Sequence, residues 1–458
     1  MKERLMAKKI AKLVSEYGGK TYYVGGCVRD KILGIDIKDI DIEIHGIEMD
    51  KIISILDSLG KRKIVGESFG IFMLKGYDLD ISIPRKEEKR GILHQDFDIV
   101  VDPFIGTYKA SLRRDFTINA LMEDVITGEI IDYFEGINDL NNKIIRHVND
   151  LTFAEDSLRV LRACQFASRF GFVIAKETLE LCKKIDITNL PKERIEGELK
   201  KALLKGNRPS TFFNYLYEIG SGNYYFKELF DLKDISQNPL FHAEGNVYNH
   251  TMLVIDNGIH HLKEVEEPYL FMLACLCHDF GKINATTTIN GDIKSINHEN
   301  EGDDLIKSFL NRFTNEKKIF HYVINMARLH MRPNRCAKDN SSIKATNKMF
   351  DESICPNDLI MLSHMDGLGQ INDLEKNDYR PFLYERLNIY KELMDEPKIT
   401  GQDLINLNLR PKRFYRAALE YAHSLHLAGV KKEDAIKQVI NYFNKLKEEY
   451  SKRNTNML

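Results

Sequence analysis

Asp39-Ile40-Asp41-Ile42-Glu43-Ile44 alternates acid with isoleucine, and residues 27–38 separate it from Gly25-Gly26. In an extended strand successive side chains face opposite sides. Asp39, Asp41 and Glu43 therefore share one face, and the three isoleucines share the other. Two carboxylates on one rigid face can bridge hard divalent cations. Two such ions can clamp the attacking and leaving oxygens of a phosphoryl transfer. Gly25-Gly26 ends the strand-like TYYV and opens the helix-like VRDKIL, a turn that lets backbone approach a phosphate at a helix start. Taken singly, an acidic strand also suits a solvated edge and a Gly-Gly pair suits an ordinary turn. Asp78 and Asp80 in YDLDISI share a face of a further strand, either as surface acids or as an added metal-binding group.

Basic residues with fixed acidic neighbours come next. In LRRDFTINAL, Arg113 and Arg114 supply planar donors for a triphosphate. Asp115 can accept from ribose hydroxyls, and Asn119 can hold the backbone or a base. In EDSLRVLRACQFASRFGF, read as one helix, Glu155, Arg159, Arg162 and Arg169 fall on a polar stripe, with Asp156 and Arg159 as i,i+3 neighbours. A salt-bridged helix face has the same pattern. Arg194 and Glu198 are i,i+4 in KERIEGELKKALL and are expected to stabilise that helix.

The histidines form a separate constellation. His250 lies in YNHTM, His278-Asp279 in CLCHDFGK, His298 in NHENEG, His330 in RLHM and Asp366 in HMDGLG. Imidazoles and carboxylates from different helices of a bundle can hold a metal whose bound water attacks phosphate. The series resembles the metal sites of HD-type phosphohydrolases, and the resemblance implies that His250, His278, Asp279 and Asp366 form one metal set. His298 and His330 are assigned to a second metal or to phosphate, and Lys282 to neutralising a phosphate. His242 and His364 are read as supporting or surface residues.

The elements that must position these groups change character along the 458 residues. Up to about residue 140, strand-like KTYYVGG, DIDIEIHG, GIFMLKGYDLDISI and FDIVVD mix with helix-like VRDKILG and MDKIISILDSLGK, which implies an α/β or α+β sheet domain. From residue 141 strand signals fade and helical periodicity takes over to the end. Lys+Arg 66 against Asp+Glu 68 leaves a net charge of -2, so a polyanion site would have to be a local basic surface. The amphipathic start, the lack of any apolar run long enough for a bilayer and seven scattered cysteines point to a cytoplasmic protein without a membrane partner. Oligomeric state stays open.

GGCVRD followed by KDIDIE resembles the first motif of the polymerase β nucleotidyltransferase superfamily. It is closer still to that of class II tRNA nucleotidyltransferases and bacterial poly(A) polymerases. RRDFTINAL is similar to their second motif, IDYFEGINDL to the third, EDSLR to the fourth and KERIEGELKKALL to the fifth. The resemblance implies that Asp39 and Asp41 bind catalytic Mg²⁺, with Asp80 at the place of a third acid; Glu43 has no such warrant. It implies nucleotide binding at Gly25, Gly26, Arg29, Arg113, Arg114, Asp115, Asn119 and Arg162. Asp156 and Arg159 would read the Watson–Crick edges of cytosine and adenine, supported by Glu155. The third motif's Asp132, Gly136 and Asp139 are read as a structural joint.

The histidine series resembles the HD superfamily of metal phosphohydrolases, with a divalent metal of unstated identity. The whole chain resembles tRNA nucleotidyltransferases fused to an HD domain. In the tail, where such proteins commonly read Gly-x-x-Pro-Gly, this chain has Leu409-Arg410-Pro411-Lys412, which adds basic charge suited to RNA phosphate. The implied fold is multidomain: a nucleotidyltransferase head over 1–140, a helical neck over 141–240, an HD bundle over 241–370 and a helical tRNA-binding tail over 371–458. The implied activity is addition of C, C and A to tRNA from CTP and ATP. The alternatives are poly(A) polymerase, a partial CC- or A-adding enzyme, and an HD phosphodiesterase or phosphatase. Room for a loop associated with full CCA addition lies between Arg85 and Arg113.

Overall fold

In the computed structural model, the run of acid and isoleucine is a strand with one face in a core. The structure describes residues 2–37, 39–64, 70–89, 97–371 and 377–455. Lys38, and the part of the expected loop segment at 90–96, lie outside the described residues. The chain divides into two compact units, 1–224 and 225–458.

The first unit is built on β1 (Lys20–Val24), β2 (Ile40–His45), β3 (Arg62–Ile64), β4 (Ile71–Leu74), β5 (Leu79–Ser82), β6 (Arg85–Lys89), β7 (Phe97–Val101), β8 (Met122–Asp124) and β9 (Ile130–Ile131). Seven of these make one sheet in the order β3-β4-β5-β2-β1-β8-β9, while β6 and β7 form a separate antiparallel ribbon. β2 and β5 run parallel, with Asp41 opposite Asp80 and Glu43 opposite Ser82. Ile40, Ile42 and Ile44 are buried on the other face; helix Lys2–Glu16 packs on β2 and on helix Met49–Leu59, and the two helices bury Ile10, Val14, Ile52 and Leu56. Burying each such side chain contributes about 1.5–3 kcal/mol, which fixes the register and so fixes which face carries the acids.

Helices Leu158–Phe170, Lys192–Lys205 and Ser210–Ile219 belong to the same unit. Strand structure does not stop at residue 140: β10 (Ile144–Ile145) and β11 (Val173–Ile174) pair in parallel. EDSLR is also not continuous helix. Asn149 caps a short helix, Asp150–Ala154, that ends at Glu155; Asp156 Oδ1 then accepts from Leu158 N at 3.1 Å and starts the next helix. Aspartate favours such a local bond to backbone over a helical interior, so Glu155 and Asp156 stand in the junction and not on the stripe with Arg159. Gly136 serves as a close approach: a Cβ there would stand 2.3 Å from the Thr117 carbonyl oxygen.

In the second unit, helix Pro268–Cys277 is apolar on every side and buried from Tyr269 onward, the pattern of a central bundle helix. Helices Val247–Gly258, Lys317–Leu329 and Pro356–Gly369 pack around it. This block is not all helical. β12 (Thr286–Ile289) and β13 (Asp292–Ser295) form a hairpin across Asn290-Gly291, both at positive φ, and Asn-Gly is the pair that a tight two-residue hairpin turn selects. The tail has a core of its own around Leu404, Ala418, Val439 and Phe443.

One carboxylate ties the bundle together. Asp358, fully buried near the start of Pro356–Gly369, accepts from the Glu266 and Glu267 amides at 2.7 and 3.1 Å and from the Tyr322 hydroxyl at 2.6 Å. It therefore joins three helices, those leading to Asp366, to His278 and to His330. Replacing Asp358 by Ala strands three donors and is expected to destabilise the second unit by about 3 kcal/mol. Urea unfolding followed by circular dichroism checks this; an unchanged midpoint would contradict it.

Candidate functional site

The acid face is graded in exposure. Asp39 is exposed just before β2, Asp41 is half-buried and Glu43 is buried. Burial first, then the neighbouring Asp80 and Asp39, push the Asp41 carboxyl up to about 6 against the opposing pull of Arg114. Burial, Asp78 and Asp39 also raise Asp80. Asp39, Asp41 and Asp80 are thus close enough for charge to matter among them, and their all-oxygen donor set suits a hard divalent ion.

Glu43 does something different. Burial would raise it, but a hydrogen bond from His45 Nε2 at 2.8 Å and the Arg114 guanidinium at 3.3 Å outweigh burial and hold it below its ordinary value. Glu43 thus aims Arg114 at Gly25, where a Cβ would stand 3.1 Å from Nη1; a Cβ at Gly26 would stand 3.3 Å from Arg29 Nη2. Gly25 has φ +67°. The two glycines leave room for guanidinium groups.

Gly25, Gly26, Arg29, Asp39, Asp41, Arg114, Asp115, Asn119 and Arg162 all line one open cavity of about 700 Å³, together with Phe166, Arg169, Lys201 and Lys205. The two lysines, on helix Lys192–Lys205, were not among the residues expected from sequence. The walls are linked by hydrogen bonds. Asp115 is buried and accepts from Asn119 Nδ2 at 2.9 Å, from its neighbour's amide Phe116 N at 2.8 Å and from Arg162 Nε at 2.8 Å. Asn119 Oδ1 in turn accepts from Arg29 Nη1 at 2.5 Å. Arg29 also pairs with Asp30 and lies over Phe170, 4.7 Å from its ring centre. Both Asp115 oxygens and Arg29 are therefore already engaged inside the protein.

Arg113 and Arg159 do not line that cavity. They line an adjoining one of about 240 Å³ with Glu43, Ser82, Arg85 and Arg114, so Arg114 is shared by both. Arg159 donates to the carbonyls of Thr152 and Arg113 at 2.6 and 2.7 Å. Asp156 lines neither and accepts from Arg194 at 2.8 Å. The i,i+4 pairing expected for Arg194 gives way to this bond, and buried Glu198 accepts from Lys201 instead.

The second unit gathers the histidines. His250, His278, Asp279, His298, His330 and Asp366 are all buried. His250 Nε2 lies 2.9 Å from Asp366 Oδ1 and 3.8 Å from Asp279 Oδ2, and His278 Nε2 lies 3.3 Å from Asp279 Oδ2. On the other carboxylate oxygen, Asp279 Oδ1 lies 3.3 Å from His298 Nε2 and 3.8 Å from His330 Nε2. Two triads with metal-ligand spacing, His250-His278-Asp279 and Asp279-His298-His330, thus share Asp279. The outer nitrogens are anchored: His278 Nδ1 to the Cys275 carbonyl at 2.9 Å, His298 Nδ1 to Ser295 at 2.9 Å and His330 Nδ1 to Ala327 at 2.6 Å. An Nδ1–H donated to a carbonyl fixes the tautomer that leaves Nε2 a lone pair for a metal.

Both Asp279 oxygens and His278 Nε2 are buried without a hydrogen-bond partner. The Lys282 ammonium is 2.7 Å from Asp279 Oδ2, an ion pair off the hydrogen-bond directions, and donates to Gln237 at 2.9 Å. Such orphaned inward-facing atoms fit a bound divalent cation. Burial pushes His330 down to about 4. For His250 burial is outweighed by the bond to Asp366 and the nearby Glu244 carboxylate, which lift it to about 9. Glu244, which the sequence reading passed over, lies between His242 and His250; its signal was the His-x-Glu spacing. His364 stands apart from the cluster, beside Asp378.

Comparison with known proteins adds the family. A model described as the poly A polymerase head domain matches residues 21–146. A multifunctional CCA protein of Haemophilus ducreyi is 35% identical over 268 residues, 57% of this chain and 63% of the relative. The chain thus spans less than two thirds of that relative's length. The multifunctional CCA protein of Mannheimia succiniciproducens is 34% identical over 301 residues, covering 64% of this chain and 70% of the relative. The Thermotoga maritima CCA-adding enzyme, solved complexed with tRNA, shares the fold at a TM-score of 0.62 and 19% identity over 96% of this chain and 95% of that one. A mixed α/β head of poly(A) polymerase type, a helical body and these relatives together show that the chain belongs to the multifunctional CCA protein family.

Proposed function

We propose that the protein is a CCA tRNA nucleotidyltransferase, adding C, C and A to the tRNA 3′ end from CTP and ATP. The observation that carries this reading is the cavity that joins the Asp39–Asp41 face to Gly25, Gly26 and four arginines. The finer division into head, neck, HD bundle and tRNA-binding tail, and a cytoplasmic setting, form part of the same reading. Among the described residues no helix is long and apolar enough to cross a membrane.

In this reaction the terminal 3′ hydroxyl attacks the α-phosphate, a P–O bond forms, and pyrophosphate leaves. Asp39 and Asp41, with Asp80 opposite in the strand register, would hold Mg²⁺. Arg114, aimed by Glu43, stands where it can meet the triphosphate from either cavity, and Lys201 and Lys205 supply positive charge for RNA or nucleotide phosphate. Arg159 and Asp156 are assigned to base selection, Arg159 through the smaller cavity. To serve that role Asp156 would exchange its bond to Arg194 for one to the base. The buried histidine cluster supports a second activity, metal-dependent phosphohydrolysis, with His250, His278, Asp279 and Asp366 as one ligand set and His298 and His330 completing the other through Asp279. Bound divalent ions would supply Lewis-acid stabilisation of phosphoryl oxygens at the head and a polarised water at the histidine cluster.

Asp39→Ala combined with Asp41→Ala is expected to abolish nucleotide incorporation into a tRNA lacking its 3′ end while leaving phosphohydrolase activity intact. Labelled CTP followed on a gel checks the first, and release of phosphate from a 2′,3′-cyclic nucleotide checks the second. Retained incorporation would contradict the head assignment.

Asp115 gives a pH-dependent test. Burial alone would raise its carboxyl, but Arg162 and Asn119 together hold it below its ordinary value. A carboxyl depressed in the folded state stabilises fully above its unfolded value of about 3.9, and that contribution fades as pH falls through the depressed value. Asp115→Asn is therefore expected to cost about 2 kcal/mol at pH 7, with the gap to wild type shrinking below about pH 4. Urea unfolding across pH measures it; a gap that stays constant into acid would contradict the ion pair.

A further inference from the structure

Glu244 belongs to no ligand set named above, yet it touches three parts of the histidine cluster's frame. Its side chain is 2% exposed. Oε1 lies 2.6 Å from His242 Nδ1 and 3.2 Å from His250 Nδ1, while Oε2 accepts from the Ile371 amide at 2.9 Å. Ile371 lies two residues past the end of the helix that carries Asp366, and the Ala243 amide bonds back to the Ile371 carbonyl at 2.7 Å. The carboxylate therefore bolts the segment before His250 to the end of the helix that presents Asp366.

The comparison among the imidazoles sharpens its role. His278, His298 and His330 each anchor Nδ1 on the carbonyl three residues upstream. For His250 that carbonyl, Val247, accepts from the Thr251 hydroxyl at 2.9 Å instead. Glu299 Oε2 stands 3.8 Å from His298 Nδ1, but that nitrogen keeps its Ser295 carbonyl; His250 is the one imidazole of these four whose outer nitrogen has no carbonyl partner and meets a carboxylate instead. The 3.2 Å contact is bent away from a straight hydrogen bond, so Glu244 acts on the ring through its charge as well as its oxygen. A carboxylate behind an imidazole orients the ring and makes its inner nitrogen a stronger donor to a metal.

We propose that Glu244 is a positioning residue for a divalent cation held by His250, fixing the ring from behind and tying it to the Asp366 helix. This rests on the reading of the histidine cluster as a metal centre. His242, Glu244 and His250 also have metal-ligand spacing among themselves, but Glu244 is already engaged by both rings and by the Ile371 amide, so these three form a support and not another ion site.

The test uses the full chain with Asp39→Ala and Asp41→Ala, so that the head acids take up no metal. Co²⁺ is titrated into the metal-stripped protein and followed by visible absorption and binding heat. The parent is expected to bind Co²⁺ and Asp279→Ala to lose that binding. Glu244→Gln is expected to keep the parental stoichiometry with about 10- to 100-fold weaker affinity and an altered absorption band. Parental affinity and spectrum in Glu244→Gln, even with a lowered melting temperature, would overturn the proposal, as would loss of one equivalent of Co²⁺. Should Glu244→Gln fail to fold, Glu244→Asp keeps the charge at shorter reach; weaker affinity at unchanged stoichiometry supports the proposal, and parental affinity overturns it. If Asp279→Ala binds Co²⁺ like the parent, the metal-centre reading itself fails.

Discussion

A buried carboxylate that must be satisfied organises each unit. In the first it is Asp115, which takes Arg162 from helix Leu158–Phe170, Asn119 from its own motif and, through Asn119, Arg29 behind the Gly-Gly turn. Leaving any of these charges buried and unpaired would cost several kcal/mol, so the three arrive together or the cavity wall does not close. The sheet supplies the opposite wall. Buried Ile40, Ile42 and Ile44 hold β2 in register, and the parallel pairing with β5 sets Asp41 against Asp80. A cluster of acids and a cluster of guanidinium groups are thereby held facing one cavity, the separation of charge that nucleotidyl transfer from a triphosphate needs.

The second unit solves a related problem with helices. Asp358 gathers the helix ends that lead to the metal-ligand candidates, and backbone carbonyls then orient three of the four imidazoles. Each of those bonds is local, three residues back along the chain: His278 and His330 follow from the ends of their helices, and His298 from the turn between β13 and the helix it opens. His250 lacks that option and leans on Glu244. The result is a buried set of nitrogen and oxygen donors in which burial drives His330 down, while Asp366 and Glu244 carry His250 up against burial.

Much of this was legible in the sequence, for identifiable reasons. Strict alternation of acid and isoleucine encodes both the strand and its buried face, so Asp39 and Asp41 could be put on one face from pattern alone; Asp80 stayed open between a surface acid and a third metal-binding acid, and only the strand pairing sets it opposite Asp41. The histidine spacing encoded a cluster because a bundle brings helix ends together. Three features were not legible. Asp156 reads as helical by periodicity, and only its bond to the Leu158 amide breaks the helix there. Arg113 and Arg114 are adjacent in sequence, yet Arg114 alone reaches the larger cavity. Glu43 and Glu244 look like surface acids, since their importance lies in partners distant in the chain, Arg114 and the Ile371 amide. The Asn290-Gly291 hairpin, by contrast, was written in the sequence and hidden only by the helical character of its surroundings.

The central claim is that one head builds C, C and A in order on a tRNA. It is tested most directly by offering tRNAs that end before the first C, after the second C and after the final A, with CTP and ATP singly and together, and sequencing the product ends. The account predicts two C residues and one A on the first, a single A on the second and nothing on the third. A long run of A without C would contradict it in favour of a poly(A) polymerase, and addition that stops after CC or requires CC would mark a partial adding enzyme.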